Sequence, residues 1–329
     1  MKSEVIKLYP DRDDVTLTTY ILDDSKETRN GRPRPAVIIC PGGGYLNVSD
    51  REAEPVALKF LSMGYHAFVL RYSVYSRGGQ EPIDYLKPFE VKEFSKYPTQ
   101  IRELGKSMLI VREHAEEWHV DNDKIAICGF SAGAHNCAMY SVYWDKKIIT
   151  DYLNADAKDL KPNACILGYP LTDYVYMDKT KGNNQMADGL FVISNIAFLG
   201  SQEVSEDKLV EISPARNVSE NVPPTFIWAT ANDELVDVQH SIIYSRALAD
   251  HGIPFELHIF EEGNHGLSVA DQTSAEALKE VQPLIQHWVP AVNRWLQKRF
   301  EYELPEKTAM DIMMEDMQKK YMEEQQSGK

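Results

Sequence analysis

Residues 125–143 decide the fold of this chain, and they read I-A-I-C-G-F-S-A-G-A-H-N-C-A-M-Y-S-V-Y. The apolar run Ile125–Gly129 predicts a buried strand, and Ser131–Tyr143 predicts the helix that follows it. Between them, G-F-S-A-G at 129–133 predicts a sharp turn that needs small neighbours and strains the backbone of Ser131. The Ser131 hydroxyl is then expected above the strand end, at the positive end of the helix dipole. Ser131 is therefore the candidate nucleophile, and the alternative is a serine that only caps the helix.

Strand and helix patterns alternate on both sides of this unit. The other predicted strands are a hairpin over Glu4–Leu8 and Val15–Leu22, then Ala36–Cys40, His66–Leu70, Ala164–Gly168, Thr225–Ala229 and Phe255–Phe260. The other predicted helices are 52–63, 98–118, 238–251 and a broken one over about 275–300, interrupted near Pro283 and Pro290. This alternation predicts an α/β fold, with a mostly parallel central sheet and helices on both faces.

Two long stretches, Ser73–Lys96 and Leu171–Arg216, interrupt the alternation and are rich in aromatic residues. Long loops inside a compact domain are commonly lids or binding loops. We therefore predict one catalytic domain over residues 1–300 with lid-like insertions at about 73–96 and 171–216. Candidate substrate-binding residues are Tyr45, Tyr72 and Tyr174, although each aromatic ring can equally serve to cover the sheet.

A different segment, the tail over residues 301–329, has a helical pattern. Its apolar residues fall on one face of that helix, namely Met310, Met313, Met314, Met317 and Tyr321. An apolar stripe of this kind predicts an amphipathic helix. Three interpretations stay open: the helix docks on the body, it docks on a second subunit and makes a homo-oligomer, or it is a solvated helix.

Composition and charge narrow the partners. The chain has 35 basic and 50 acidic side chains, hence a net charge of −15, and no cluster of Lys and Arg. Such a field repels phosphate backbones, so no nucleic-acid partner is expected. No segment approaches the ~18 consecutive apolar residues of a membrane span, and the first residues lack the hydrophobic stretch of a signal peptide. With four cysteines in apolar runs or a predicted helix, these features predict a cytoplasmic protein without membrane association.

A nucleophilic serine needs a base and an acid that orients the base. When a G-x-S-x-G turn provides the serine, the acid and then the histidine follow later strands of the sheet. Residues 229–237, A-T-A-N-D-E-L-V-D, offer Asp233, Glu234 and Asp237. Asp233 lies nearest the strand end and is favoured as the acid. Asp237 sits near the start of the next helix, where a capping charge is the ordinary explanation.

The base is expected on the loop after the last strand, where E-E-G-N-H-G at 261–266 provides His265. Glycines on both sides let this loop fold back over the sheet edge. Of the nine histidines, only His265 has this position. His135, one turn beyond Ser131, is predicted to pack or to bond a neighbouring loop.

The glycine loop, Pro41–Tyr45 (P-G-G-G-Y), directly follows the strand Ala36–Cys40. Successive glycines let the backbone approach a substrate, and backbone N–H groups there can bind an oxyanion. A phosphate cradle is the alternative, but the G-x-G-x-x-G spacing and a following Lys-Ser/Thr are lacking.

Together these segments resemble the α/β-hydrolase superfamily, and within it the acetylxylan esterase and feruloyl-esterase-like short-chain carbohydrate esterases. The resemblance spans about residues 36–290 and rests on P-G-G-G-Y at 41–45, Y-P-T-Q at 97–100, G-F-S-A-G-A-H at 129–135, L-G-Y-P at 167–170, S-P-A at 213–215, P-P-T-F-I-W-A-T-A-N-D at 223–233 and E-L-H-I-F-E-E-G-N-H-G at 256–266. It implies the α/β-hydrolase fold. It also implies a triad of Ser131, Asp233 and His265, with an oxyanion hole from the N–H groups of Gly43, Gly44 and Ala132.

The resemblance further implies a serine esterase that cleaves short acyl esters, above all acetyl esters, of carbohydrates or small alcohols through an acyl-enzyme. Its partner would be a small acylated sugar or short-chain ester, and neither a metal nor an organic cofactor is expected. Two alternatives stay open. One is a serine peptidase of the prolyl-oligopeptidase type, which shares the triad order, and the other is a hydrolase-fold binding protein without catalysis.

Overall fold

An eight-stranded sheet forms the centre of the molecule in the computed structural model, which describes residues 1–182, 184–301 and 304–327. Its strands are β1 (Val5–Tyr9), β2 (Arg12–Tyr20), β3 (Arg34–Cys40), β4 (His66–Arg71), β5 (Val120–Phe130), β6 (Ala164–Gly168), β7 (Thr225–Thr230) and β8 (Phe255–Phe260). They lie in the order β1-β2-β4-β3-β5-β6-β7-β8. The pairs β1–β2 and β2–β4 are antiparallel, and every other pair is parallel. The predicted mostly parallel sheet is therefore confirmed.

Helices connect most of the strands, and in the described part of the chain two more α-helices follow the last strand. They are α1 (Glu54–Ser62), α2 (Thr99–Glu113), α3 (Ala115–Trp118), α4 (Ala132–Tyr143), α5 (Lys147–Leu153), α6 (Ala157–Leu160), α7 (Tyr174–Lys179), α8 (Gln185–Leu199), α9 (Glu206–Glu211), α10 (Gln239–Asp250), α11 (Trp288–Phe300) and α12 (Ala309–Ser327). The broken helix predicted over 275–300 becomes α-helical only at Trp288, after two short 3₁₀ turns. Pro290 falls in the first turn of α11, where a missing N–H costs no hydrogen bond.

The core lies on both faces of the sheet because alternate residues of each central strand point in opposite directions. In β3, Ala36, Ile38 and Cys40 join one buried cluster, whereas Val37 and Ile39 join the other. All seven residues of β3 are buried, as expected of a strand covered on both sides. The four cysteines are free and buried, and they fill the core as small side chains.

The first insertion, predicted over about 73–96, continues to the start of α2 at Thr99, so the two insertions, which we call the roof, comprise residues 73–98 and 171–216. The second one is mostly helical, since α7, α8 and α9 all lie within it, so its prediction as a long loop is wrong. Its helices depend on long-range packing. Ala197 of α8 packs with Leu46 and with Tyr75 of the first insertion, and Leu190 and Ile193 pack against the same cluster.

The tail forms α12, and the predicted helix is confirmed for the residues that the structure describes; residues 302, 303, 328 and 329 lie outside them. The five side chains of its apolar stripe are between 48% and 64% exposed. They do not dock on the body of the molecule. Association of this helix with a second subunit stays a prediction. Within the described residues, no helix combines the length and the apolar character needed to cross a bilayer.

Candidate active site

The candidate site lies at one edge of the sheet, where the carboxyl ends of parallel strands meet. The glycine loop follows β3, Ser131 follows β5, Asp233 follows β7 and His265 follows β8. We call the segments 41–45, 129–133, 230–236 and 263–268 the floor of the site. Sequence-distant residues therefore reach one place because each terminates a neighbouring strand.

The turn between β5 and α4 has the strained geometry that its sequence predicts. Ser131 has φ 51° and ψ −120°, a left-handed conformation for a residue with a side chain, which costs about 1–3 kcal/mol. A Cβ on Gly133 would lie 2.0 Å from the carbonyl oxygen of Cys40, and one on Gly129 would lie 2.2 Å from that of Gly133. Glycine at 133 lets the turn pack directly against the backbone that leaves β3, and glycine at 129 lets the turn close tightly on its own backbone.

Three of the predicted residues form a continuous hydrogen-bonded chain. His265 Nε2 lies 2.8 Å from Ser131 Oγ, and His265 Nδ1 lies 2.7 Å from Asp233 Oδ2. The other oxygen of Asp233 accepts hydrogen bonds from the N–H groups of Leu235 and Val236, both at 2.9 Å. The carboxylate is 1% exposed and the imidazole 13%. The acid is thus held by its own loop, and the imidazole spans the gap to the serine.

The competing acid Asp237 has other partners. One of its oxygens accepts from the hydroxyl of Tyr176 in α7 at 2.8 Å, and the other accepts from the N–H of Gln239 at 2.9 Å. It therefore serves the start of α10 and a contact with the roof, in keeping with the capping role expected of it.

Two further hydrogen bonds, which the sequence did not reveal, join the acid loop to the histidine loop. Asn232 Oδ1 accepts from the N–H of Gly263 at 2.8 Å, and the hydroxyl of Thr230 donates to the carbonyl of Gly263 at 2.7 Å. The peptide of Gly263 is held from both sides, two residues before His265. This tie fixes the distance between acid and base.

The carbonyl groups of Gly42 and Gly43 accept hydrogen bonds from the segment that follows the glycine loop. Ser49 N–H donates to the carbonyl of Gly42 at 2.9 Å, and the N–H groups of Leu46 and Asn47 donate to that of Gly43 at 3.0 and 3.1 Å. In a trans peptide the N–H points opposite to the C=O. The N–H groups of Gly43 and Gly44 therefore point away from these donors.

Gly43 and Gly44 have φ of 127° and 63°, which favour glycine. They line one cavity with Ser131 and Ala132. Among the described residues, none accepts a hydrogen bond from the N–H groups of Gly43, Gly44 and Ala132. Three donors thus remain available beside the serine hydroxyl.

Of the three tyrosines predicted to bind substrate, Tyr45 and Tyr174 line this cavity, and both are buried. The Tyr45 hydroxyl lies 2.6 Å from Nδ1 of His135, whose Nε2 lies 2.8 Å from the carbonyl of Ile212. Burial lowers the pKa of His135 to about 4, so its neutral ring donates to Ile212 and accepts from Tyr45. The predicted structural role of His135 is confirmed.

The prediction for Tyr72 is wrong. Its side chain is fully buried and its hydroxyl donates to the carbonyl of Pro41 at 2.5 Å. Tyr72 follows β4, the neighbour of β3 in the sheet, so its ring reaches the glycine loop from the protein interior. It supports that loop and does not line the cavity.

The cavity above Ser131 has a volume of about 280 Å³. The segment after the glycine loop contributes polar side chains to its wall, namely Asn47, Ser49 and Arg51. The roof and the acid loop contribute apolar ones, namely Leu171, Leu190, Phe191, Leu235 and Val236. Tyr85 of the roof, 63% exposed, stands at its edge. Among the described residues, His, Cys, Asp and Glu do not gather in groups of three or more that could hold a metal ion.

Sequence reasoning missed Glu52, a carboxylate that is 3% exposed behind the glycine loop. Its two oxygens accept from the N–H of Gly42 and from the hydroxyl of Tyr169, both at 2.6 Å. The available signal was its position, ten residues after Gly42 in the segment that lines the cavity. A Glu before a helix is more simply explained as a first-turn charge, which concealed it.

A comparison with known families matches residues 83–248, just over half of the chain, to the family model described as BD-FAE. Among curated proteins, the chain is 31% identical over 238 residues to endo-1,4-beta-xylanase B of Butyrivibrio fibrisolvens, an alignment that covers 72% of this chain and 33% of that protein. It is 26% identical over 261 residues to the acetylxylan esterase of Xylanibacter ruminicola, with 76% and 45% covered. The chain thus spans between a third and a half of the length of these curated relatives.

Among solved structures, the carboxylesterase Cest-2923 from Lactobacillus plantarum superimposes with a TM-score of 0.75 at 27% identity. The superposition covers 93% of this chain and 100% of that one. Similarity over nearly the full length of both chains identifies the fold as the α/β-hydrolase fold.

Proposed function

Because the chain belongs to the BD-FAE family and has the α/β-hydrolase fold, we propose that it is a serine esterase acting on short acyl esters of carbohydrates or small alcohols. One observation carries this proposal: the hydrogen-bonded chain Asp233–His265–Ser131 ends at a cavity that also holds three unpaired backbone N–H groups. A nucleophile, its base, the acid that orients the base and an oxyanion site are the parts that acyl transfer needs.

The chemistry follows from these positions. His265 Nε2 takes the hydroxyl proton as Ser131 Oγ attacks the ester carbonyl carbon, and the π electrons of the carbonyl move onto its oxygen. The N–H groups of Gly43, Gly44 and Ala132 receive this oxyanion. When the tetrahedral intermediate collapses, the alcohol leaves with the proton from His265 and the acyl group stays on the serine.

Water then attacks the acyl-enzyme, with His265 again as the base, and the carboxylic acid departs. Asp233 keeps the Nδ1 proton of His265 in place throughout, so that Nε2 is free to accept. It also stabilises the imidazolium that forms in each transition state.

The cavity supports a small ester with a polar alcohol. At about 280 Å³ it lies just below the usual range of ligand cavities, which starts near 300 Å³. Its apolar wall suits a short acyl chain, and its polar wall, with Asn47, Ser49 and Arg51, suits a hydroxyl-rich alcohol. The names of two relatives, a xylanase and an acetylxylan esterase, point to the same class of substrate.

The test is a comparison of kcat/KM across p-nitrophenyl esters from acetate to decanoate, with acetylated xylo-oligosaccharides alongside. We expect a maximum at acetate or propionate and release of acetate from the oligosaccharides. A longer chain gains only ~0.8 kcal/mol per buried methylene, and only where the cavity has room for it. A maximum at octanoate or beyond, with the acetylated sugars untouched, would overturn the substrate class. Cleavage of aminoacyl amides in preference to esters would replace the esterase by a peptidase.

A further inference from the structure

A buried carboxylate links the glycine loop to the histidine loop. Glu52 Oε2 accepts from the N–H of Gly42, and Glu52 Oε1 accepts from the hydroxyl of Tyr169, each at 2.6 Å. The Tyr169 oxygen in turn accepts from the N–H of Ser268 at 3.0 Å. Both oxygens of Glu52 thus act as acceptors, one for a backbone N–H and one for a hydroxyl. The chain of bonds starts one residue before Gly43 and ends three residues after His265.

Gly42 occupies a tight position between this carboxylate and the nucleophile. A Cβ there would lie 2.7 Å from Glu52 Oε2, 2.6 Å from the carbonyl oxygen of Phe130 and 2.9 Å from the Cβ of Ser131. Its carbonyl is held separately by the N–H of Ser49. With its N–H and its C=O both fixed, Gly42 sets the direction in which the next amide, that of Gly43, points.

Tyr169 also contacts the candidate base, His265. Its ring stands edge-on to the imidazole of His265, with centroids 4.8 Å apart and planes at 66°. The loop beyond is anchored again where the hydroxyl of Ser268 donates to the carbonyl of Arg51 at 2.7 Å. The residues that hold the oxyanion site and those that hold the base are thus connected through one pair of side chains, Glu52 and Tyr169.

A carboxylate in this position is costly for the folded state. Burial raises the pKa of Glu52, and no Lys or Arg among the described residues forms an ion pair with it; the adjacent Arg51 pairs with Glu280 instead. A buried charge without a cationic partner destabilises a protein unless hydrogen bonds compensate it. An apolar residue would fill the same space without destabilising the folded state. The glutamate is therefore better explained by a role in the candidate active site.

We propose that Glu52 is the positioning residue of the oxyanion site, holding the glycine loop against the nucleophile and, through Tyr169, in register with His265. The inference rests on the proposed function, since an oxyanion forms only if Ser131 attacks a carbonyl. Both oxygens of Glu52 are already bonded to Gly42 and Tyr169, so we assign it no direct role on the reacting atoms. It acts through the amide of Gly42 and the ring of Tyr169.

The substitution Glu52→Gln separates these roles from packing. Glutamine keeps the shape but has one acceptor oxygen, so its amide group must face either the N–H of Gly42 or the hydroxyl of Tyr169. We expect kcat/KM to fall by about 10²-fold, close to the effect of losing one oxyanion donor. KM should stay near the wild-type value, because the substrate carbonyl in the ground state demands little of these amides.

The direct readout is affinity for methyl trifluoromethyl ketone. In this compound the carbonyl carbon carries a methyl group where an ester carries its alcohol. Ser131 Oγ bonds to its carbonyl carbon, the hydroxyl proton passes to His265, and the carbonyl electrons become an oxyanion in the proposed site. Its inhibition constant should rise in Glu52→Gln by the same factor as kcat/KM falls. The inhibition constant of the corresponding secondary alcohol, which forms no oxyanion, should not change.

Glu103→Gln is the matched control. Glu103 is also fully buried and also accepts from a backbone N–H and a hydroxyl, both of Ser73, at 2.7 and 2.6 Å, yet it does not line the cavity. It should keep wild-type kcat/KM and wild-type affinity for the ketone. If Glu52→Gln does not fold, Tyr169→Phe replaces it, and a fall in kcat at unchanged KM is again expected.

Wild-type ketone affinity in a folded Glu52→Gln variant would overturn the proposal, as would an equal loss in Glu103→Gln. If Glu52→Gln does not fold, wild-type kcat in Tyr169→Phe would overturn it. The proposed function fails separately, when the wild-type protein cleaves no ester.

Discussion

The floor and the roof of the site are built by different forces. A Cβ placed on Gly42, Gly43, Gly129 or Gly133 of the floor would meet a backbone atom at 2.0 to 2.6 Å. In the roof, a Cβ on Gly79, Gly182 or Gly189 would meet nothing within 4 Å. At these four positions the floor is held by contacts between backbones, which leave no room for a side chain. The roof packs through side chains, and its backbone has room at these three glycines, whereas a Cβ on Gly200 would lie 2.7 Å from the side chain of Lys96.

Hydrogen bonds and ring packing join the two regions. The N–H of Tyr75 donates to the carbonyl of Tyr45 at 3.0 Å, and the ring of Tyr45 stacks on that of Phe198 with centroids 4.1 Å apart. The hydroxyl of Ser194 in α8 donates to the carbonyl of Gly44 at 2.7 Å, and the amide of Asn184 donates to the carbonyl of Glu234 at 2.6 Å. Both bonds end on carbonyl groups and leave the N–H groups of the floor available. We therefore expect substitutions in the floor to change the rate of ester cleavage, and substitutions in the roof to change the preference among esters.

The sharpest contrast is between two aspartates four residues apart. Asp233→Asn should lower kcat by about 10⁴-fold, because an asparagine lets the imidazole adopt the wrong tautomer while the geometry survives. Asp237→Asn, which changes a contact of the roof with α10, should alter kcat by no more than a few-fold. Steady-state kinetics on p-nitrophenyl acetate decides the matter, and a larger loss in Asp237→Asn would exchange the two assignments.

Two helical glycines compare the regions directly. Gly133→Ala forces a Cβ against the carbonyl of Cys40, and overpacking of this kind costs about 1–3 kcal/mol. Displacement of the floor by about 1 Å should also cost about 10²-fold in kcat. Gly189→Ala, exposed in α8, should instead raise the free energy of unfolding by about 0.5–1 kcal/mol and leave kcat unchanged. Urea unfolding and kinetics on both variants test this, and equal effects would abolish the distinction between floor and roof.

Tyr85 tests the specificity assigned to the roof. Its ring packs 6.0 Å from Phe89, which lies 5.2 Å from Tyr75, so an exposed ring at the mouth of the cavity is supported from behind. Aromatic contacts of this kind contribute about 0.5–1.5 kcal/mol. Tyr85→Ala should therefore lower kcat/KM on acetylated xylo-oligosaccharides about tenfold and leave p-nitrophenyl acetate unaffected. An equal loss of kcat/KM on both substrates would contradict a role in specificity and would indicate that Tyr85 supports the floor instead.

A pH-dependent effect on stability is expected from Glu103, which bonds Ser73 at the start of the roof. Burial raises the pKa of Glu103 to about 7, above its ordinary value near 4.5. A carboxyl with a raised pKa contributes stability below its unfolded pKa, and this contribution is lost as the pH rises through about 7. The free energy of unfolding of the wild type, relative to Glu103→Gln, should fall by an amount on the order of 1–3 kcal/mol between pH 4.5 and 8. A constant difference over this range would contradict the assignment.

The floor was the more predictable region because short local segments of sequence determine its geometry. G-F-S-A-G at 129–133 and P-G-G-G at 41–44 specify turns that few other sequences can form, and Asp233 and His265 were located by their distance from a strand end. Glu52 was missed because its partner Tyr169 lies 117 residues away. No local pattern distinguishes such a glutamate from an ordinary charge before a helix.

The roof was less predictable for a related reason. α8 owes its position to Leu46 and Tyr75, which lie outside its own segment, so its local composition indicated only a long aromatic insertion. Tyr72 was misplaced because a tyrosine after a strand can point toward the ligand or into the interior. Only the neighbouring strand decides which of the two occurs.

The central claim, that Ser131 is acylated, can be tested by trapping the intermediate. The protein is mixed with p-nitrophenyl acetate, quenched in acid within the first turnover, digested and examined by mass spectrometry. We expect one acetyl group on the peptide that contains Ser131, and neither acetyl group nor turnover in Ser131→Ala. Turnover that persists in Ser131→Ala, or an acetyl group that the wild type carries on another residue, would contradict the account.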